Sequence, residues 1–462
     1  MTRIAYLSFS SAEWDGRTQR MASTALAAGY DVTVYARWQK GLPIEAQGPG
    51  YRIFRVPAIP ELAVPGRRGH GRRRLAGALR RARTVPADGT NTTTGAAPLD
   101  DGLAWVPDGL RGTPVGRPLR AVKAAGHAAR RTFVDPFLLF PLRPMGWAIA
   151  LDEVAEPADI WHGMWAGSLP ALERLRDRFG GRTVYDSRDV YMRSRGFERM
   201  GPWKAPFARM ERRWARSADA VLTVNETYAD MLAEQFGIAR PPVVRNTPAR
   251  YAVPDPPPDL IRARLGIGPE TRVVLYQGGL LSDRGIEQGM EAILEVPDAV
   301  FAVMGVGSPT PAITALAASE RMRGRVRFVD PVPPDQLIDW TASSDVMLMA
   351  IQPTSWNHRF TTPQKLWEAI AGGVPVVASD LPGMADVVRK LDCGVLVDPT
   401  DPMAIARGIR AIVDAPPDER AAMRARTWRG GQERYNWEHE TQTLLALYNE
   451  VMARPAGRAS RR

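Results

Sequence analysis

The sequence predicts an α/β protein of two doubly wound domains facing each other across a cleft. Three observations predict it. Short β-rich runs alternate with helical segments in two separate series. A proline-rich stretch, Pro-Asp-Pro-Pro-Pro-Asp at 254–259, divides the series and reads as a semi-rigid linker. The length, 462 residues, suits two large domains or three smaller ones. Hydrophobic residues make up 45% and charged residues 24%, ordinary for a globular chain. No apolar run reaches the ~18 residues of a spanning helix. The opening residues are too short an apolar stretch for a signal peptide. The single cysteine, Cys393, excludes an internal disulfide and a thiolate cluster. A cytoplasmic location is the resulting expectation.

The first series begins with a strand at 4–9, a helix at 17–28 ended by Gly29, and strands at 31–36 and 51–56. It resumes with strand 159–162, helix 168–179, strand 182–186, helix 207–217, strand 220–225 and helix 227–236. The second series has strands at 272–277, 299–304, 326–330, 345–351, 375–379 and 394–397, with helices between. Three helices close the chain, the last near 438–453. The expected domains are therefore 1–250 and 251–437, with helix 438–453 packing back on the first and a basic tail at 454–462. Ligands in such folds bind beyond the carboxyl ends of the strands.

The net charge is +11, and residues 66–131 hold 14 Lys+Arg against 4 Asp. This basic insertion fits neither series. Residues 66–84 carry eight Arg and no acid, with Leu75, Leu79 and Ala82 on one helical stripe. Residues 85–98 are Thr/Gly/Ala-rich and expected to be disordered. An apolar, proline-broken run follows at 133–149. Two readings stay open: a segment lying on an anionic membrane surface through 66–149, or a solvated arginine-rich expansion. Nucleic acid is disfavoured as a partner, since the insertion has one aromatic, Trp105, for stacking.

Several machineries are missing. There is no Walker phosphate loop, no Gly-x-Gly-x-x-Gly fingerprint, no zinc-ligand spacing among the five histidines, no Gly-x-Ser-x-Gly elbow and no Asp-x-Asp pair. The sharpest constellation is Thr-Pro-Gln-Lys-Leu-Trp-Glu at 362–368. Thr362 suits an N-cap and Pro363 the first helical position. Lys365 and Glu368 are three apart and share a face. A cation beside free helix N–H groups suits a diphosphate, and a carboxylate one turn later suits a ribose diol. The bland reading of the pair is a surface ion pair. Upstream, Tyr-Gln-Gly-Gly-Leu-Leu-Ser-Asp-Arg-Gly at 276–285 ends a strand. Gly278 and Gly279 allow close backbone approach, and Arg284 could clamp phosphate oxygens; a plain turn is the competing reading.

These motifs, with 303–307, 325–330, 362–380, 394–399 and 437–448, make the second domain resemble the donor half of a family 4 glycosyltransferase with the GT-B fold, built of two Rossmann-like domains. The first domain is similar to that family's acceptor half at 15–29, 158–170, 184–189, 218–225 and 243–246. The resemblance implies retaining transfer of a sugar from a nucleotide-diphosphate sugar to a glycan, glycolipid or other hydroxyl acceptor. It also implies that no metal or cofactor is required, and the expected location is cytoplasmic or peripheral on the inner face of the cell membrane. It implies that Glu368 binds the ribose, and that Arg284 and Lys365 meet the diphosphate and act in catalysis. Gly278, Gly279 and Thr362 would line the donor site, with Asp15 and Gly16 approaching the donor phosphates. His162, taken as the end of its strand at the cleft, would touch donor or acceptor; a lone histidine also reads as structural. Arg188 and Asp189 would lie on the acceptor side. The pattern departs at Phe360, where many members carry Glu, at Gly279, where many carry Arg, and at Arg188. The alternatives are a nucleotide-sugar epimerase of the same fold and a non-catalytic protein binding anionic ligands.

Overall fold

The computed structural model describes residues 1–13, 15–64, 66–83, 138–194, 197, 200–254, 256–305, 307 and 310–454. The stretch expected to be disordered, 85–98, and the tail beyond 454 lie outside them, as does most of the basic insertion.

The described residues form two sheets. The first has seven strands: β1 (Arg3–Ser8), β2 (Asp31–Arg37), β3 (Glu45–Gln47), β4 (Arg52–Val56), β5 (Ile160–Met164), β6 (Arg182–Ser187) and β7 (Ala220–Thr223). Their order is β3-β4-β2-β1-β5-β6-β7. All neighbours run parallel except β3 and β4. The second sheet is wholly parallel, β10-β9-β8-β11-β12-β13. Its strands are β8 (Arg272–Gln277), β9 (Ala299–Met304), β10 (Val326–Val329), β11 (Val346–Met349), β12 (Val376–Ser379) and β13 (Gly394–Val397). In each sheet the order reverses direction beside the first strand of its series, which opens a crevice at the carboxyl ends of the central strands.

Central strands such as β8 and β9 are buried throughout after their first residue or from it, so they read as continuous apolar runs. The helices that cover the first sheet are α1 (Gly16–Ala27), α2 (Arg68–Arg83), α3 (Arg143–Leu151), α4 (Leu169–Phe179), α5 (Lys204–Ser217) and α6 (Glu226–Phe236). Those of the second are α7 (Leu260–Leu265), α8 (Ile286–Ala292), α9 (Pro311–Ala317), α10 (Leu337–Ala342), α11 (Trp356–Phe360), α12 (Gln364–Ala371), α13 (Pro382–Leu391), α14 (Pro402–Val413) and α15 (Pro417–Glu433). The last, α16 (Trp437–Ala453), packs its Trp437, Leu444, Leu447, Tyr448 and Val451 with Ile4, Tyr6 and Met21 of the first domain.

In α2, Leu75 and Ala78 are buried, while Arg67, Arg68, Arg72 and Arg73 around and on the helix are exposed. Leu75 and Ala78 are therefore spent on the protein's own core, and the described arginines face outward.

Candidate donor and acceptor cleft

The close approach of two loops shapes the second-domain side. Gly278 follows β8 with φ +127°, a conformation that favours glycine. A Cβ on Gly305, after β9, would lie 1.8 Å from the Gly278 carbonyl oxygen, so glycine is required there as well. Gly279 continues the turn, and its carbonyl accepts from the Tyr276 hydroxyl at 2.7 Å.

Across from this turn stands α12. Its N-cap is Pro363, in extended conformation, and the helix begins at Gln364. The expected Thr362 cap does not form. A residue before proline is held extended, and Pro363 is extended too, so the helix starts one residue later than expected, at Gln364. Thr362 Oγ1 instead accepts from Asn225 Nδ2 at 3.4 Å, a contact between the domains.

Lys365 and Glu368 are not a surface ion pair. They are 9% and 6% exposed, and no salt bridge joins them. Lys365 Nζ sits 3.7 Å from the centre of the Tyr276 ring and, buried, has no hydrogen-bond partner among the described residues. The position of a Cβ on Gly278 would be 3.5 Å from it. Burial, with Arg284 nearby, pushes the Lys365 amine down to about 7, against the pull of Glu368. Arg284 itself lies between β8 and α8, half-buried, and makes no hydrogen bond or ion pair with a described residue. The carboxylate of Glu368 is raised by burial, offset by hydrogen bonds from Gln277 and Gln364. Each of its oxygens accepts one of those bonds, Gln277 on Oε2 and Gln364 on Oε1 (2.8 Å). Gln277 is held in turn by Thr341 at 2.8 Å.

The first-domain side carries a tight ionic core. Arg17 is fully buried and grips Asp186 through two bonds of 2.7 and 3.0 Å. Asp15 caps α1 through Thr18 N and also accepts from Ser8, Thr18 Oγ1 and Arg188, the last at 2.7 Å. Burial would raise Asp15, but Arg188 and the Thr18 bonds hold it down at about 2. Its carboxylate is thus engaged with Thr18 and Arg188. Gly16 opens α1 beside Arg20, whose Nη1 would lie 3.4 Å from an added Cβ. Asp189 is pushed by burial up to about 6, against Arg188 and Arg284, which pull it down. Arg284 thus acts electrostatically on a first-domain carboxyl from the second domain.

His162 is a correction. It sits inside β5, not at its end, and is fully buried. Nδ1 bonds the Tyr448 hydroxyl at 2.8 Å, and the ring lies 5.1 Å from Tyr6. Burial drives it down to about 3, so it is neutral at ordinary pH and belongs to the packing of α16 on the first sheet. Phe360 ends α11, packs on Trp356 at 4.5 Å and lies against the first domain's core. It is an interdomain contact.

Residues 271–415 match the model of the family described as Glycosyl transferases group 1. The chain resembles the family 4 glycosyltransferases, and its fold is GT-B. A D-inositol 3-phosphate glycosyltransferase of Acidothermus cellulolyticus is 28% identical over 265 residues, 53% of this chain and 56% of that protein. The chain spans about half the length of the first curated relatives it matches. Among solved structures, a sucrose-phosphate synthase of Thermosynechococcus elongatus aligns over 98% of this chain and 100% of its own with TM-score 0.65 at 17% identity. HepE of Anabaena, solved in complex with UDP, aligns over 98% and 100% with TM-score 0.57 at 15% identity. These structural likenesses establish the GT-B fold alone.

Gln277, Gln364, Thr341, Arg20 and Asn246 were not singled out by sequence. Only Gln277 left a signal: a polar residue at the carboxyl end of a central strand, directly before the glycine turn.

Proposed function

We propose that the protein moves a sugar from a nucleotide-diphosphate sugar to a hydroxyl acceptor with retention of configuration and without a required metal. The observation that carries this reading is the unpartnered Lys365 ammonium, buried over Tyr276 beside the Gly278 turn and next to Arg284. A buried cation without a partner costs several kcal/mol unless an anion arrives. A diphosphate supplies it. Glu368 then takes the ribose hydroxyls, since each of its oxygens has accepting capacity left beyond its one glutamine bond.

As the bond from the sugar to the diphosphate breaks, negative charge grows on the leaving group. Lys365, Arg284 and the first N–H groups of α12 stabilise it electrostatically. Asp189 faces the same space from the first domain and orients the acceptor, with Arg188 held in place by Asp15. Among the described residues no group of three His, Cys, Asp or Glu side chains gathers to ligate a metal; the two cations carry the role a metal would have. The relatives' printed activities, inositol phosphate and sugar phosphate chemistry, favour a polar sugar-like acceptor or its lipid-linked counterpart in glycan or glycolipid assembly. Peripheral membrane contact through the exposed Arg67, Arg68, Arg72 and Arg73 would act by charge, since α2 buries Leu75 and Ala78 in the protein's own core. No described helix is long and apolar enough to cross a membrane.

The test is a thermal-shift screen against UDP, GDP, TDP and ADP sugars with and without EDTA. A ligand that binds only the folded state raises the melting temperature. The expected result is a shift by one nucleotide class, kept in EDTA and lost in Glu368→Ala. No shift from any of them overturns the reading.

A further inference from the structure

Glu368 is the end of a hydrogen-bonded chain that begins in the other domain. Arg20, on the fifth residue of α1, donates through Nη2 to Asn246 Oδ1. Asn246 Nδ2 donates to Gln364 Oε1 at 3.1 Å. Gln364 Nε2 donates to Glu368 Oε1 at 2.8 Å. The direction of every bond is set by its ends. Arg20 can only donate and the ionised carboxylate of Glu368 can only accept, so both amides between them have one workable orientation. Arg20 is itself confined: its guanidinium lies 5.7 Å from the Trp437 ring centre, and Gly16 leaves room beside it. Glu368 and Arg20 also attract across the interface.

We propose that Arg20 is a positioning residue for Glu368, acting through Asn246 and Gln364 to fix the carboxylate so that one free acceptor site on each oxygen meets the two ribose hydroxyls. The inference rests on the reading of Glu368 as the ribose-binding group. It makes nucleotide recognition by the second domain depend on a first-domain arginine that lies two hydrogen-bonded residues away from it. Docking of the two domains and recognition of the ribose are then one event.

The discriminating readout is the preference for ribose over 2′-deoxyribose, which a merely structural role would leave alone. Calorimetric titration of the full chain uses UDP, GDP and ADP, each beside its 2′-deoxy counterpart. The wild type is expected to bind at least one ribonucleotide about tenfold more tightly than its deoxy form, the size of one hydrogen bond to a charged group. Arg20→Met keeps the bulk of the side chain and removes its donors; Asn246→Leu breaks the chain at a half-buried position with less risk to folding. In both, the ratio is expected to fall towards one. A ratio that stays at the wild-type value in both variants overturns the role of Arg20 and leaves Glu368 standing. If Arg20→Met does not fold, Asn246→Leu alone decides. A wild type that binds none of the nucleotides, or binds ribo and deoxy forms equally, overturns the reading of Glu368 and this inference with it.

Discussion

Replacing Lys365 by Met should make the unliganded protein more stable and cost it the donor. The amine is pushed from its ordinary 10.5 to about 7 by burial. The unfolded chain therefore binds more protons than the folded one between about pH 7 and pH 10.5, and wild-type stability rises with pH through that window. At 1.36 kcal/mol per unit, the cost of keeping the lysine buried is about 5 kcal/mol at pH 6, about 4 at pH 7 and about 2 at pH 9. The Tyr276 ring, 3.7 Å from the ammonium, returns about 1–2 kcal/mol of that while the amine is charged. Methionine has similar bulk and no charge, so Lys365→Met should gain about 2–3 kcal/mol at pH 7. For a domain of this size that is a rise of roughly 4–12 °C. Thermal denaturation of both proteins at pH 6, 7 and 9, without and with the nucleotide found in the screen, measures it. The gain should shrink from pH 6 to pH 9, and the nucleotide should raise the wild-type melting temperature but not the variant's. A variant less stable than wild type at pH 6, or a gain indifferent to pH, would refute the argument that an uncompensated ammonium waits in this cleft.

Glu368→Ala should mainly weaken donor binding, by about ten- to a hundredfold for hydrogen bonds to a charged group, with little change in kcat at saturating donor. Arg284→Ala should lower kcat as well, because it faces charge that grows only as the bond breaks; steady-state kinetics at varied donor separates the two. Asp189, pushed up to about 6 by burial, is protonated below that value and ionised above it. The rate should therefore fall as pH drops through about 6, and Asp189→Asn should be slow and lack that limb in a pH–rate profile.

The two series of strands were legible because central parallel strands leave continuous apolar runs. β8, β9 and β13 have the bounds their patterns give. The errors came where a local signal had a tertiary cause. The strand expected at 159–162 continues through Gly163 to Met164. A Cβ at Gly163 would lie 2.5 Å from Ser168 Oγ, so this glycine lets the following turn and α4 pack on a strand that continues past it. Ending the strand at His162 placed it at the cleft when it is in the core. Lys365 and Glu368 were legible as a pair on one helical face, but their burial was not, because it depends on Tyr276 and Gln277 some ninety residues earlier. Arg20 and Asn246 are 226 residues apart and meet only because α1 and the crossing segment converge on the start of α12. No periodicity carries such information.

The charges of the cleft lead to one further consequence. Arg17 has Asp186, and Arg188 has Asp15. Among the described residues Lys365 and Arg284 form no such ion pair, and they repel each other; the lysine relieves this in the empty cleft by releasing its proton near neutrality. An arriving diphosphate reverses the balance, since two negative groups beside the amine favour its charged form. Donor binding should therefore take up a proton. With the free amine at about 7, about half a proton should be taken up per diphosphate at pH 7 and nearly a whole one at pH 8. Affinity should be flat below pH 7 and fall about tenfold per unit above it, until the amine titrates in the complex. Calorimetry in buffers of different ionisation enthalpy counts the proton directly. Uptake absent at pH 8 in the wild type would mean that Lys365 is already charged in the empty cleft. Uptake unchanged in Lys365→Met would assign the proton to another group. The first result removes the neutral lysine from the empty cleft, and the second removes the lysine from the diphosphate.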